Sequence, residues 1–339
     1  MNTEFHYWIT GLIALRAGFD EEEAKTIAYA SEYVDENDIS IRVQDRRGQG
    51  HYANFISQTM NILKPKNQLM RIYPIFHFIP GEPDAATARR RDGKMHILNT
   101  TPNNENANAL LDAAFRSTED IRLYRIGIAT HAYVDTWAHQ NFVGWYDYFN
   151  NIGLDIKPDI GHADGEHHPD WVSHYWEDIR LVDSEVNNRA RFTSAAEALF
   201  FKYCDYLNTQ GRAEHSTEWS KLEEELILLQ GKTYSGNKPH YEDERLKSYR
   251  KRLPNWADFD EKRWFDAAID TKVRGLRDSN EGLKSRLTIF KDEYYWKDGL
   301  DKEESDWFRF QEAVKEHERF AIKILTPRFK EMGYDLAVL

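Results

Sequence analysis

The segment IATHAYVDTWAHQNF, residues 128–142, constrains this chain most. His131, Asp135 and His139 stand at i, i+4 and i+8. On a helix each four-residue step drifts by only about 40°, so the three form one stripe. Ala129, Tyr133, Trp137 and Ala138 flank it. The stripe can present two imidazoles and a carboxylate to one cavity. Such a stripe is satisfied by internal hydrogen bonds or by a cation.

The cation reading is the one this composition favours. The chain has 339 residues, 13 His and one Cys, Cys204. A single thiol excludes a disulfide framework and a zinc site built on several thiolates. Imidazole and carboxylate are what zinc or manganese takes instead. Ten of the 13 histidines lie before residue 175. The formal charge of −12 argues against a general nucleic-acid coat or an anionic-membrane binder. No apolar run approaches the roughly 20 residues of a membrane span. The start, MNTEFHYWITGLIALRAGF, lacks a basic region and a small-residue cleavage site, which reads as a cytoplasmic chain.

Helical patterns dominate the rest. One helix is expected from Thr3 to Ala17, closed by Gly18. A second runs from Glu21 to Val34, opened by an Asp20/Glu23 capping box. Residues 36–104 are broken by Gly and Pro, with a possible short strand at 72–79. The stripe helix spans Thr118 to Phe142. Residues 150–170 form a loop rich in Gly, Asp and His. Further helices are expected at 171–189, 194–208, 216–230, 260–281 and 303–325. The fold class that follows is mainly α: one multi-helix domain with long irregular loops. The site lies in residues 1–175, and 176–339 form a charged helical extension.

Other residues of ligand type cluster around the stripe. His6 lies in the first helix. Asp35 and Asp38 close the second, where the helix dipole disfavours an anion unless a cation is near. His77 sits among apolar neighbours in YPIFHFIPGEPD, and GHADGEHHPDW packs three His and three acids into residues 161–171. Arg89, Arg90 and Arg91 form the sharpest basic run of the first half and read as solvated surface. His96, His215, His240 and His317 read as ordinary surface residues.

In this order the residues resemble the zinc-dependent phospholipase C superfamily, which includes single-strand-specific zinc nucleases, and within it a cytosolic bacterial branch. The resemblance covers residues 5–170. It implies a mainly α, zinc phospholipase C-like domain holding two or three zinc ions, with manganese as an alternative. His6 resembles the N-terminal His ligand. Asp35, with Asp38 as fallback, resembles the early Asp ligand. His77 resembles the His of the family's HF-containing segment. His131 and Asp135 resemble its helical pair, with Asp135 bridging two metals. His139 resembles the next ligand, although three residues separate it from Asp135 where the family usually has five. His162 and Glu166 resemble the last pair, and Asp164, His167 and Asp170 compete with Glu166. Secreted members use the amine of an N-terminal Trp. Here Trp8 follows His6, so the third metal position is altered, missing or completed by the Met1 amine.

The implied function is hydrolysis of a phosphoester, with Asp35 both ligating and orienting water. Tyr7, Thr130, Tyr133 and Gln140 are the expected supports of the imidazoles. A small phosphodiester or lipid-type substrate fits the charge better than nucleic acid. The alternative is a non-enzymatic helical interaction module whose metal site is structural or degenerate. A His-Asp phosphohydrolase and a ferritin-like oxidase are disfavoured, since the chain has no adjacent His-Asp pair and no paired Glu-x-x-His motifs.

Overall fold

The computed structural model describes residues 1–46, 48, 50–59, 67–153, 157–163, 165–274 and 291–338. Ten α-helices are described. They are α1 (Thr10–Ala17), α2 (Glu21–Glu36), α3 (Tyr73–Phe76), α4 (Glu105–Phe115), α5 (Glu119–Ala138), α6 (Asn188–Thr209), α7 (Trp219–Gln230), α8 (Glu242–Arg252), α9 (Arg263–Ala268) and α10 (Asp306–Glu331). The stripe helix, α5, packs against α2, α4, α6 and α10. From Ile126 to Ala138 every one of its residues is buried.

The first helix is not uniform. Glu4–Ile9 is wound as a π-helix that runs straight into α1. Such segments often occur at functional sites. Gly18 closes α1 in the left-handed conformation, and the Asp20/Glu23 box opens α2.

The expectation of a mainly α fold is overturned. Helices account for 51% of the described residues and strands for 10%, so the fold is helix-rich but mixed. A four-stranded sheet runs in the order β2 (His51–Ala53), β1 (Arg42–Gln44), β8 (Lys291–Trp296), β7 (Ile269–Arg274). Strand β1 pairs with β8 in parallel, Val43 opposite Tyr294, while β7 and β8 form an antiparallel ladder. Two small antiparallel pairs complete the strands: β3 (Tyr146–Asp147) with β4 (Asp159–Ile160), and β5 (Tyr175–Glu177) with β6 (Glu185–Asn187). Residues 171–189 hold β5 and β6 rather than a helix. The helix expected at 260–281 stops at Ala268 and continues as β7, its later residues lying outside the described ones. These strands have two to six residues, too few for an alternating pattern to stand out from a helical one. Residues 72–79 err the other way, forming the single turn α3. Helix α6 begins at Asn188, capped by Asn187, earlier than expected.

One close approach sets the geometry of the centre. A Cβ on Gly127 would stand 2.5 Å from the Ile27 carbonyl oxygen and 2.6 Å from Ala30 Cβ. The absent side chain lets α2 and α5 touch backbone to backbone. One turn further along each helix, that contact brings Ser31 against His131.

Two arginines from the second half fix the first. Arg245 of α8 grips Glu4 of the π-wound segment with two bonds, Nε to Oε2 at 2.6 Å and Nη2 to Oε1 at 2.8 Å, both groups buried. Arg191 of α6 donates to the carbonyls of Trp137 and Ala138, closing the end of α5 just before His139.

Candidate metal centre

The π-wound segment, α2, α3, α5 and the 161–170 loop converge on one buried cluster. Asp135 lies at its middle and is 1% exposed. Its Oδ1 is 3.2 Å from His6 Nε2. Its Oδ2 is 3.1 Å from His131 Nε2, 3.5 Å from His77 Nδ1 and 3.5 Å from His139 Nδ1. Asp35 Oδ1 lies 3.6 Å from His77 Nδ1 and 3.7 Å from His131 Nε2. On the loop side, the two oxygens of Asp170 meet His139 Nε2 at 3.2 Å and His162 Nε2 at 3.3 Å. The amino group of Met1 reaches into the cluster, against Asp135 and 3.4 Å from Asp170.

The outer bonds of the imidazoles settle which nitrogen faces inward. His131 Nδ1 donates to the Ser31 carbonyl at 2.8 Å. His77 Nε2 donates to the Ser57 carbonyl at 2.9 Å. His139 Nδ1 donates to the His77 carbonyl at 2.8 Å, and His162 Nδ1 to the Glu166 carbonyl at 2.6 Å. A neutral imidazole has one N–H. In its neutral form each of the four rings turns an unprotonated nitrogen toward the cluster. His131 Nε2 and His77 Nδ1 then meet at 3.0 Å, lone pair to lone pair. Neutral His139 and His162 likewise aim lone pairs at a carboxylate. These contacts are relieved by a metal ion or by a bound proton, and although burial opposes it, the Asp135 and Asp35 carboxylates raise the pKa of His77. A ring N–H on a backbone carbonyl is also how metal-ligating imidazoles are held.

Unbonded buried atoms agree. Asp135 Oδ2 and both nitrogens of His6 are buried without a hydrogen bond. His6 stacks on His131 at 3.8 Å between centroids. Burial, His131 and the Met1 amine push its pKa down to about 3, so it is a neutral donor. Burial opposes ionisation of Asp135, but His139, the Met1 amine, His131 and His6 outweigh it and hold that carboxyl well below the usual range. Burial also lowers the Met1 amine, and Asp135, Asp170 and Asp35 overcome it, leaving it near 10. Three groups place their donor atoms within 4.8 Å of one another: His6, Asp35 and His131; His77, His131 and Asp135; His139, His162 and Asp170. Each is a nitrogen–oxygen set of the kind borderline divalent ions accept.

The sequence-predicted residues fall as follows. His6, Asp35, His77, His131, Asp135, His139 and His162 come together. Glu166 does not: its side chain is exposed, and it serves only through the carbonyl that orients His162. Asp170 takes the place assigned to Glu166, because the turns at 165–170 aim it inward and leave His167 exposed. Asp164 lies outside the described residues. The fallback Asp38 lines a separate cavity with Glu36 and Asp266. His139 is not inside α5 but caps it, since Asn141 at φ 71° ends the helix early. The expected supports are engaged elsewhere: Tyr7 donates to the Ala257 carbonyl, Tyr133 to Asn103, and Thr130 pairs with Tyr203. His317, expected at the surface, is fully buried against Phe76.

Local sequence explains the last imidazole. Gly161 sits at φ +56°, and a Cβ there would stand 2.5 Å from the Phe78 ring. Only glycine lets the loop approach Phe78 so closely in this conformation. Phe78 in turn stacks on His139 at 4.3 Å. Asp35 is 29% exposed, while His131 and Asp135 are sealed, so the cluster has a closed floor and a solvent-facing rim.

Residues 1–325 match the family of unknown function DUF6765, and the chain belongs to that family. No match was found among the curated proteins or the solved structures. Among the described residues, no helix is long and apolar enough to cross a membrane.

Proposed function

We propose that this member of the DUF6765 family is a metal-dependent phosphoester hydrolase. Two or three divalent ions, with zinc the first choice, would be held by His6, Asp35, His77, His131, Asp135, His139, His162 and Asp170. The observation that carries this reading is the 3.0 Å approach of His131 Nε2 to His77 Nδ1. The resemblance to the zinc-dependent phospholipase C superfamily supplies the reaction class. When bound, such ions polarise a phosphoryl oxygen and make water nucleophilic near neutral pH.

The chain's own residues supply position. Asp135 faces imidazoles on both of its oxygens, which suits it to bridge. The rim exposure of Asp35 lets its carboxylate accept a hydrogen bond from incoming water and orient it. Gln58 Nε2, 3.5 Å from Asp35 Oδ1, steadies that carboxylate. The carbonyls of Ser31, Ser57, His77 and Glu166 keep four imidazoles in the tautomer that leaves the inward nitrogen free. A small phosphodiester or lipid-type substrate is preferred, because a net charge of −12 disfavours a long polyanion. A cytoplasmic setting belongs to the same proposal, and the buried free thiol of Cys204 is compatible with a reducing compartment.

The test is turnover by metal-loaded protein on bis(p-nitrophenyl) phosphate, phosphatidylcholine and single-stranded DNA. Hydrolysis of at least one, lost in Asp35→Asn, is expected. A full complement of metal with no turnover on any of them would instead favour the interaction-module reading, with the metal serving as scaffold.

A further inference from the structure

Outside the metal centre, a cavity of about 480 Å³ opens between residues 90–94 and 148–180. Among the described residues its lining includes Arg90, Arg91, Lys94 and Arg180, with Asp92 the one lining carboxylate. Counting Asp178, which accepts from Arg180 Nε at 2.8 Å and Nη2 at 2.6 Å, the balance among the described residues is 4 − 2 = +2. That excess is local, in a chain that is strongly acidic as a whole. The basic run expected to be solvated is thus partly folded inward.

Arg90 is the unusual member. It is buried, and its guanidinium lies over the Phe149 ring at 4.1 Å. Nη1 donates to the Phe149 carbonyl at 2.7 Å. Nε is buried with no hydrogen bond, 3.4 Å from the Asp92 carboxylate. Asp92 is shared, since Lys94 Nζ also lies 3.4 Å from it. Burial and the neighbouring Arg180 both work against the Arg90 charge. Arg180 makes four side-chain bonds, two to Asp178 and two to the carbonyls of Phe149 and Asn150, and it fixes the wall. Arg91 gives Nε to the Leu181 carbonyl and leaves the rest of its guanidinium at the exposed rim. Two neighbouring guanidiniums, one with a buried Nε that meets only Asp92 at 3.4 Å, and the exposed Lys94 ammonium form the donor set an anionic oxygen cluster needs.

We propose that this cavity binds a phosphoryl group, presented either as a soluble phosphate compound or as the headgroup of an anionic lipid. Tyr148 and Ile179 line the same cavity and are 59% and 52% exposed, apolar surface that a lipid headgroup would bring acyl chains toward. The site is distinct from the metal centre but linked to it. Phe142 contacts the Arg180 guanidinium at 4.1 Å and the His162 ring at 5.9 Å. The inference does not depend on the hydrolase reading.

The experiment titrates the full-length, metal-loaded protein with inorganic pyrophosphate by calorimetry. In parallel, vesicles of phosphatidylglycerol in phosphatidylcholine are tested by sedimentation. Three variants accompany the wild type: Arg91→Gln with Lys94→Gln, Arg90→Gln, and His131→Ala in the metal centre. The first pair changes exposed side chains, so its fold is checked by an unchanged melting curve. Saturable binding of pyrophosphate or of the anionic vesicles, weakened at least about tenfold by the double variant and retained by His131→Ala, is expected. Binding of pyrophosphate alone assigns a soluble ligand, and binding of vesicles alone assigns a lipid. Binding that is lost in His131→Ala and unchanged in the cavity variants overturns the proposal, as does no saturable binding of either probe.

Discussion

His131 Nε2 faces His77 Nδ1 at 3.0 Å, and the other nitrogen of each ring is already bonded to a backbone carbonyl. Two lone pairs at that distance ask for a cation. Purified protein never exposed to chelator should contain at least two equivalents of a divalent metal by elemental analysis. His131→Ala or His77→Ala should lose a large share of it. Metal-free wild type would mean that the rings are held apart by bound protons instead.

Asp170 and Glu166 separate by side-chain direction, though both touch the loop imidazole. Asp170→Asn removes the oxygens that face His139 and His162 and should weaken metal binding by more than about tenfold. Glu166→Gln leaves the carbonyl bond to His162 intact and should bind as the wild type does. A competitive chelator titration reads both. Equal losses in the two variants would return the assignment to Glu166.

Gly127→Ala tests whether the α2–α5 contact sets the site. The new methyl meets the Ile27 carbonyl and Ala30. Overpacking of this kind costs about 1–3 kcal/mol, more than the roughly 1 kcal/mol that Ala adds in helix propensity. A lowered urea midpoint together with lowered metal affinity is expected, because the Ser31 carbonyl moves away from His131. Unchanged metal affinity in a destabilised variant would separate packing from the centre.

Glu4 and Arg245 form a buried pair whose members protect each other. Glu4→Met or Arg245→Met alone leaves a buried charge unpaired and should cost about 3–5 kcal/mol. The double variant Glu4→Met with Arg245→Met should recover most of that. A thermodynamic cycle from denaturant curves measures the coupling, and additive single losses would contradict it.

His317 gives a pH dependence that lies outside the centre. Burial, aided by Arg125, pushes its pKa down to about 3. The unfolded chain takes up a proton near pH 6.5 that the folded chain refuses. Stability is therefore full above about 6.5 and falls as pH drops toward 3. Between pH 7 and pH 5 the loss is on the order of 2 kcal/mol from this residue. His317→Phe should flatten that part of the slope in urea midpoints measured across the range. An unchanged slope would assign it to other groups, such as His6.

The donors of the centre were legible in the sequence because a helix repeats. His131, Asp135 and His139 advertise a common face whatever surrounds them. What holds the donors was not legible. Ser31, Ser57 and Glu166 act through carbonyls that every residue carries, so no side-chain pattern marks them. Asp170 could not be ranked over Glu166 because a loop has no period, and only the local turns decide which carboxylate points in. The strands escaped for a related reason. Val43 and Tyr294 are neighbours across about 250 residues, and the short run around each is uninformative alone. Arg90 carried a charge that suggested water, while Phe149 and Arg180 enclose it.

The reach of Arg245 and Gln311 sets an order of events during synthesis. Gln311 holds Asn37, which in turn holds the loop bearing the Ser57 carbonyl. Arg245 holds the segment bearing His6. A ribosome that has translated as far as Asp170 has made all eight candidate donors, yet it has not made the residues that fix two of the imidazoles in place. The anchors of these two donors come only with α8 and α10, so the proposed centre reaches its final geometry after both helices are made.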